Sequence, residues 1–107
     1  MKTIKSRIEF ETVFSKGKRA QDSFLRVRVA PSTENQLSKV AFVAPKRLGN
    51  AVYRNRCKRV LREAVSLSKL PIEGFDVILF ATKDTHDACP LEVSMSLERL
   101  LRKTGTR

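Results

Sequence analysis

Between Gly49 and Pro71 the chain runs without a proline or a glycine, and the residue types within that run divide into two faces. At about 100° per residue, Tyr53, Cys57, Val60, Ala64 and Leu67 fall within an arc of roughly 80°, the width of a core-facing stripe. Arg54, Asn55, Lys58, Arg59 and Arg62 fall on the other side. Asn50 has the short polar side chain that accepts an N–H of the first helical turn. The pattern predicts a helix over 51–68 with one buried and one basic face. Residues 38–44, ended by Pro45, read as a strand before it. Residues 75–81 form a near-continuous apolar run with β-branched members, as in a strand covered on both faces. A strand, a helix and a strand in that order predict a βαβ crossover across 38–82, and crossovers of this kind are right-handed in about 98% of cases.

The remaining segments fill out a small mixed sheet with helices packed on it. Ser6-Arg7-Ile8-Glu9 reads as a capping box. Phe10, Val13 and Phe14 follow at helical spacing, Gly17 ends the helix, and Lys16, Lys18 and Arg19 sit in its last turn and exit, where cations suit the dipole. Residues 23–30 alternate: Leu25, Val27 and Val29 point one way, Phe24, Arg26 and Arg28 the other, giving a strand with one core face and one wet, basic face. Residues 31–35 read as a turn. Residues 84–87 read as a charged loop with His86, the sole histidine, in solvent. Pro90 suits the first turn of a last helix striped by Val93, Leu97, Leu100 and Leu101. The tail is expected to fray from Thr104. The element order is α-β-β-α-β-α, an α+β sandwich, and the length of 107 residues leaves room for one compact domain over 1–107.

Charge decides what such a sandwich is for. Of 22 basic and 11 acidic residues, 16 basic and 4 acidic ones lie in residues 1–62, a net of +12, while 63–107 carry a net of −1. No acid occurs between Asn35 and Arg62, a window that holds Lys39, Lys46, Arg47, Arg54, Arg56, Lys58, Arg59 and Arg62. Arg54, Lys58 and Arg62 form an i, i+4, i+8 row of like charge, which repels itself unless an anion neutralises it. Solvated helix faces usually mix signs, so the row points to phosphate. Glu63 can pair with Arg59 at i, i+4 for a few tenths of a kcal/mol. Arginine predominates, and its planar fork grips phosphate and stacks on bases. These residues suit DNA and RNA alike. A membrane surface fits poorly, because the apolar side of the helix is needed for the core and lacks Trp and Phe. Phe10, Phe14 and Phe24 near Arg26 and Arg28 suit unstacked bases, although Phe10 and Phe14 at helical spacing equally suit a core.

Other classes fall away. No run reaches the roughly 18 apolar residues of a membrane span, and the first residues lack the apolar stretch of a secretory signal. Cys57 and Cys89 form no CxxC pair, so no structural metal site is expected, and a reducing cytoplasmic compartment fits them. No nucleophile–histidine–carboxylate spacing, P-loop or dinucleotide motif occurs, and the acids of the basic half are only Glu9, Glu11, Asp22 and Glu34. No catalytic side chain is therefore expected.

The string from Gly49 to Glu63 resembles the signature of the bacterial ribonuclease P protein component, G-N-A-V-x-R-N-R-x-K-R-x-x-R-E, with Lys46 and Arg47 just before it. The Phe10, Val13, Phe14, Gly17, Arg19 pattern, the Phe75-Asp76-Val77 start of the last strand and the leucine-rich final helix also resemble that family, over about residues 5–102. Pro45 departs from it, standing where the family commonly has a polar or basic residue. The resemblance implies a fold like the second domain of a small-subunit ribosomal protein, with a left-handed crossover in place of the usual hand. It implies a subunit of an endoribonuclease that removes the 5′ leader of precursor tRNA, with hydrolysis by the RNA subunit using Mg²⁺ and no cofactor on the protein. It implies catalytic-RNA contacts from Lys46, Arg47, Asn50, Arg54, Asn55, Arg56, Lys58, Arg59 and Arg62. It implies a leader cleft of Phe10, Phe14, Lys16, Arg19, Phe24, Arg26 and Arg28. The expected partners are the catalytic RNA and precursor tRNA, with no membrane and no protein partner. The residues by themselves leave open a structural RNA-binding protein of ribosomal type, a standalone nuclease and a DNA-binding protein.

Overall fold

The computed structural model describes residues 2–3, 7–31, 39–68 and 74–105. The element order is β1 (Lys2–Thr3), α1 (Arg7–Lys16), β2 (Lys18–Gln21), β3 (Leu25–Pro31), β4 (Lys39–Val43), α2 (Ala51–Leu67), β5 (Phe75–Ala81) and α3 (Pro90–Lys103), with a short 3₁₀ turn at Lys46–Leu48. The sheet has five strands in the order β1-β4-β5-β3-β2. β4 and β5 pair in parallel through α2, and β5 pairs antiparallel with β3. This is the mixed α+β architecture expected, with two more strands. Those two, β1 and β2, were not expected. Both lie at the sheet edges and are short; β2 reads Lys-Arg-Ala-Gln, with no apolar alternation to betray it.

β5 lies at the centre, which explains its unbroken apolar run. Its alternate residues face opposite layers. Val77, Leu79 and Ala81 join Leu25, Val27, Val29 and Val40 in a core closed by α2 and α3. Ile78 joins Val13 of α1, Ala30 and Ala41 in a second, smaller core on the opposite face, with Phe10, Val43 and Phe80 packed against it. The sheet thus separates a two-helix layer from a one-helix layer, and α1 covers its face only in part.

α2 begins where the sequence places it. The Asn50 side-chain oxygen accepts the Tyr53 N–H at 2.9 Å. Substituting Asn50 by Ala is expected to cost about 1 kcal/mol, read as a lower urea midpoint at unchanged slope. The buried arc is displaced from the expected one. Cys57, Val60, Leu61, Ala64 and Val65 are buried, while Leu67 is 55% exposed. The helix sits between α3, met through the buried Ser68–Ser94 hydroxyl pair at 2.6 Å, and β4, met through Arg54. Both flanks are therefore covered, and the residues at the edge of the wheel change places. Burial pushes the Cys57 thiol above its usual range, so it stays neutral.

The segment after β5 is a built turn, not a solvated loop. Thr85 is fully buried, and its hydroxyl donates to the Phe24 carbonyl oxygen at 2.6 Å while accepting the Thr82 N–H at 2.8 Å. His86 lies flat on Tyr53 at 4.0 Å between centroids, and its Nδ1 is 2.7 Å from an Asp87 carboxylate oxygen. Pro90 opens α3, whose Val93, Leu97, Leu100 and Leu101 are buried as expected. Thr104 does not fray: it is buried, and its hydroxyl donates to the Leu101 carbonyl oxygen at 2.8 Å. Ser6 of the expected capping box and most of the turn at 31–35 lie outside the described residues.

Candidate nucleic-acid interface

One basic surface is the outer side of α2. Asn55, Arg56, Arg59 and Arg62 are exposed, and Lys46 and Arg47 stand exposed on the 3₁₀ turn before it. Arg54 and Lys58 are half-buried, so the expected row is not uniformly solvated. Arg54 donates its Nε–H to the Ala44 carbonyl oxygen at 2.9 Å, which fixes one edge of the guanidinium to the end of β4. Arg62 lies over the Phe42 ring at 5.6 Å. Arg56 donates its Nε–H to the His86 carbonyl oxygen at 3.2 Å. These contacts orient the cations without neutralising them. Among the described residues, Arg99 pairs with Asp22 and His86 Nδ1 meets an Asp87 carboxylate oxygen, and neither contact involves α2. The expected Arg59–Glu63 pair does not form. Asn50 is occupied as the helix cap.

The second surface lies across the sheet, beside α1. Cross-strand register places Arg19 opposite Arg28 and Gln21 opposite Arg26, while Arg26 also faces Phe80. Partners in an antiparallel ladder share a face. These side chains and the Phe14 ring line a groove of about 340 Å³, and none of its lining residues is acidic. Phe14 is 43% exposed and meets Phe80 edge-on at 6.0 Å. The groove exists because the β2–β3 hairpin extends the sheet beyond the reach of α1. Asp22 makes that hairpin: its carboxylate accepts the Phe24 and Leu25 N–H groups at 2.9 and 3.3 Å.

Four of the expected cleft residues, Phe14, Arg19, Arg26 and Arg28, line this groove. Three do not. Phe10 stacks on Phe14 at 6.3 Å and packs on the smaller core, and Lys16 is exposed on α1 outside the lining. Phe24 precedes β3, in the hairpin turn, and packs against the core beneath α2 and α3. It is off the Arg26–Arg28 face because the alternation of the strand starts only at Leu25. Gln21, Ala20 and Phe80 line the groove without having been expected there. Phe80 was readable as the outward member of a two-faced strand, whereas Gln21 carried no signal without β2.

Two basic surfaces on opposite faces of one small α+β sheet define a polyanion-binding protein, one of them with aromatic walls suited to single-stranded nucleic acid. Comparison with known proteins narrows this class. The family model described as Ribonuclease P matches residues 1–105, and the chain belongs to that family. The chain is 33% identical over 106 residues to the ribonuclease P protein component of Gluconacetobacter diazotrophicus, covering 97% of this chain and 91% of that protein. It is 33% identical over 99 residues to that of Staphylococcus haemolyticus, covering 92% and 86%. Among solved structures, a Staphylococcus aureus RNase P protein superposes with a TM-score of 0.78 at 29% identity, covering 95% of this chain and 94% of that one. The Thermotoga maritima RNase P protein gives 0.76 at 25% identity, covering 95% and 97%.

Proposed function

We propose that this chain is the protein subunit of a ribonuclease P ribonucleoprotein, binding the catalytic RNA through the α2 surface and the 5′ leader of precursor tRNA through the groove. The observation that carries this reading is the placement of the two surfaces on opposite faces of the sheet. One protein can then touch two RNAs at once, offsetting the repulsion between them. The groove gains energy only from a leader, so it favours precursor over mature product. Both surfaces are made of guanidinium, ammonium, amide and aromatic groups, which bind and orient phosphodiesters. The hydrolytic step is assigned to the RNA subunit and its Mg²⁺, and the complex to the cytoplasm. The groove's aromatic lining and exposed Phe14 suit an unpaired strand over a duplex.

Cleavage of precursor tRNA by catalytic RNA in low Mg²⁺, with and without this protein, tests the reading. The protein is expected to stimulate cleavage at least about 10-fold, the effect of a favourable contact of about 1.4 kcal/mol, and to cleave nothing alone. Binding of the RNA without stimulation would identify a structural RNA-binding protein of ribosomal type instead. Cleavage by the protein alone would move the chemistry onto its own side chains.

A further inference from the structure

The three arginines of the groove are not equivalent. Arg28 donates from Nη1 to the Phe14 carbonyl oxygen at 2.7 Å, and its guanidinium carbon lies 4.3 Å from the centre of the Phe14 ring. That carbonyl is in the last turn of α1, where backbone oxygens lack helical partners. Arg28 therefore caps the helix with one edge of its fork and stands over the Phe14 ring. Phe14 in turn meets Phe80 on the groove floor. Arg19 and Arg26 are exposed and flank the same groove from β2 and β3.

We propose that Arg28 is a positioning residue, which holds Phe14 upright as the stacking wall of the groove, while Arg19 and Arg26 take the leader phosphates. The proposal rests on the reading of the groove as the leader site. It assigns Arg28 a role that its charge alone would not give. A guanidinium committed to a helix carbonyl and an aromatic face has its planar geometry engaged by the protein itself. Releasing it to reach a phosphate would free the ring that the adjoining base needs. The division of labour also suits the burial: Arg28 is half-buried, and it is the one placed against π-density and a carbonyl dipole.

Salt dependence separates a phosphate contact from a positioning one, because each phosphate neutralised on a single strand contributes about 0.7 to the slope of log K against log salt. The experiment uses the reconstituted holoenzyme and two precursor tRNAs, one with a full leader and one with a leader cut to a single nucleotide. Arg28→Ala and Arg28→Gln are expected to weaken binding of the full-leader precursor about 10-fold without changing its salt slope. Binding of the short-leader precursor is expected to stay as in the wild type. Arg26→Ala is expected to lower the slope by about 0.7. Phe14→Ala is expected to match Arg28→Ala, and the double variant to be no weaker than either single one, since both remove the same wall. Arg28→Gln keeps an N–H donor, so it reports on the slope if the alanine variant folds poorly. A slope lowered in the Arg28 variants as much as in Arg26→Ala would overturn the proposal, as would losses that multiply in the double variant. A different result marks failure of the groove reading itself: no variant, Arg26→Ala included, then distinguishes the long leader from the short one.

Discussion

Replacing Lys58, Arg59 and Arg62 together by glutamine is expected to weaken assembly with the catalytic RNA at least about 100-fold, since a charge-assisted hydrogen bond contributes about 1.5–3 kcal/mol. The salt slope of assembly is expected to fall by about 2.7, at about 0.9 for each phosphate of a helical RNA that the protein ceases to neutralise. The same variant is expected to remain as stable as the wild type to within about 1 kcal/mol. Lys58 and Arg62 are like charges at i, i+4, so their removal relieves repulsion. That relief opposes the cost of taking the Arg62 guanidinium away from the Phe42 ring, 5.6 Å beneath it. Affinity and stability therefore move independently, which a misfolded variant would not allow. Binding titrations at several salt concentrations, beside a urea melt of the free protein, check both halves. An unchanged slope would show that these cations do not meet phosphate, and the α2 surface would lose its assignment.

The side chains chosen for that test were visible in the sequence, and the reason is physical. α2 carries its information in a strong period: an apolar stripe, a cap at Asn50, and cations elsewhere. β5 was equally plain, because a central strand needs apolar residues towards both layers. What the sequence hid was set by tertiary neighbours. The displacement of the buried arc onto Leu61 and Val65 depends on β4 and α3, which no local pattern encodes. β2 is an edge strand stabilised by pairing with β3 and by the Asp22 turn, so its side chains need not alternate. Missing it hid Ala20 and Gln21 of the groove, while the alternation read from residue 23 put Phe24 on the Arg26–Arg28 face although β3 begins only at Leu25. The 84–87 segment looked solvated because Asp84, Thr85, His86 and Asp87 are polar. Yet Thr85 is buried with its hydroxyl satisfied twice, a state that depends on Phe24 from a distant part of the chain.

Gly17 shows how one such tertiary demand reaches the groove. By sequence it is a helix stop, a place for a residue in the left-handed region. The positive-φ glycines of the described residues are Gly49, Gly74 and Gly105, so Gly17 serves another purpose. A Cβ built there would lie 2.4 Å from the Val13 carbonyl oxygen and 3.2 Å from that of Val29. Both obstacles are backbone, one in α1 and one in β3, and no rotamer change relieves them. The Gly17 N–H also donates to the same Val13 oxygen at 2.8 Å. Glycine is thus what lets the chain leave α1 and enter β2 while pressed against β3. Gly17→Ala is expected to destabilise the protein by about 2–3 kcal/mol, towards the upper end for overpacking. In a domain of this size that lowers Tm by about 10–20 °C. Because relief requires α1 to move off the sheet, Phe14 should separate from Arg28 and Phe80. Holoenzyme made with the folded variant below its Tm is expected to bind long-leader and short-leader precursors alike. Assembly with the catalytic RNA, proposed to use α2 on the far face of the sheet, should persist. A variant that melts within a few degrees of the wild type would show that the joint between α1 and β2 has slack, and that the groove wall does not depend on it.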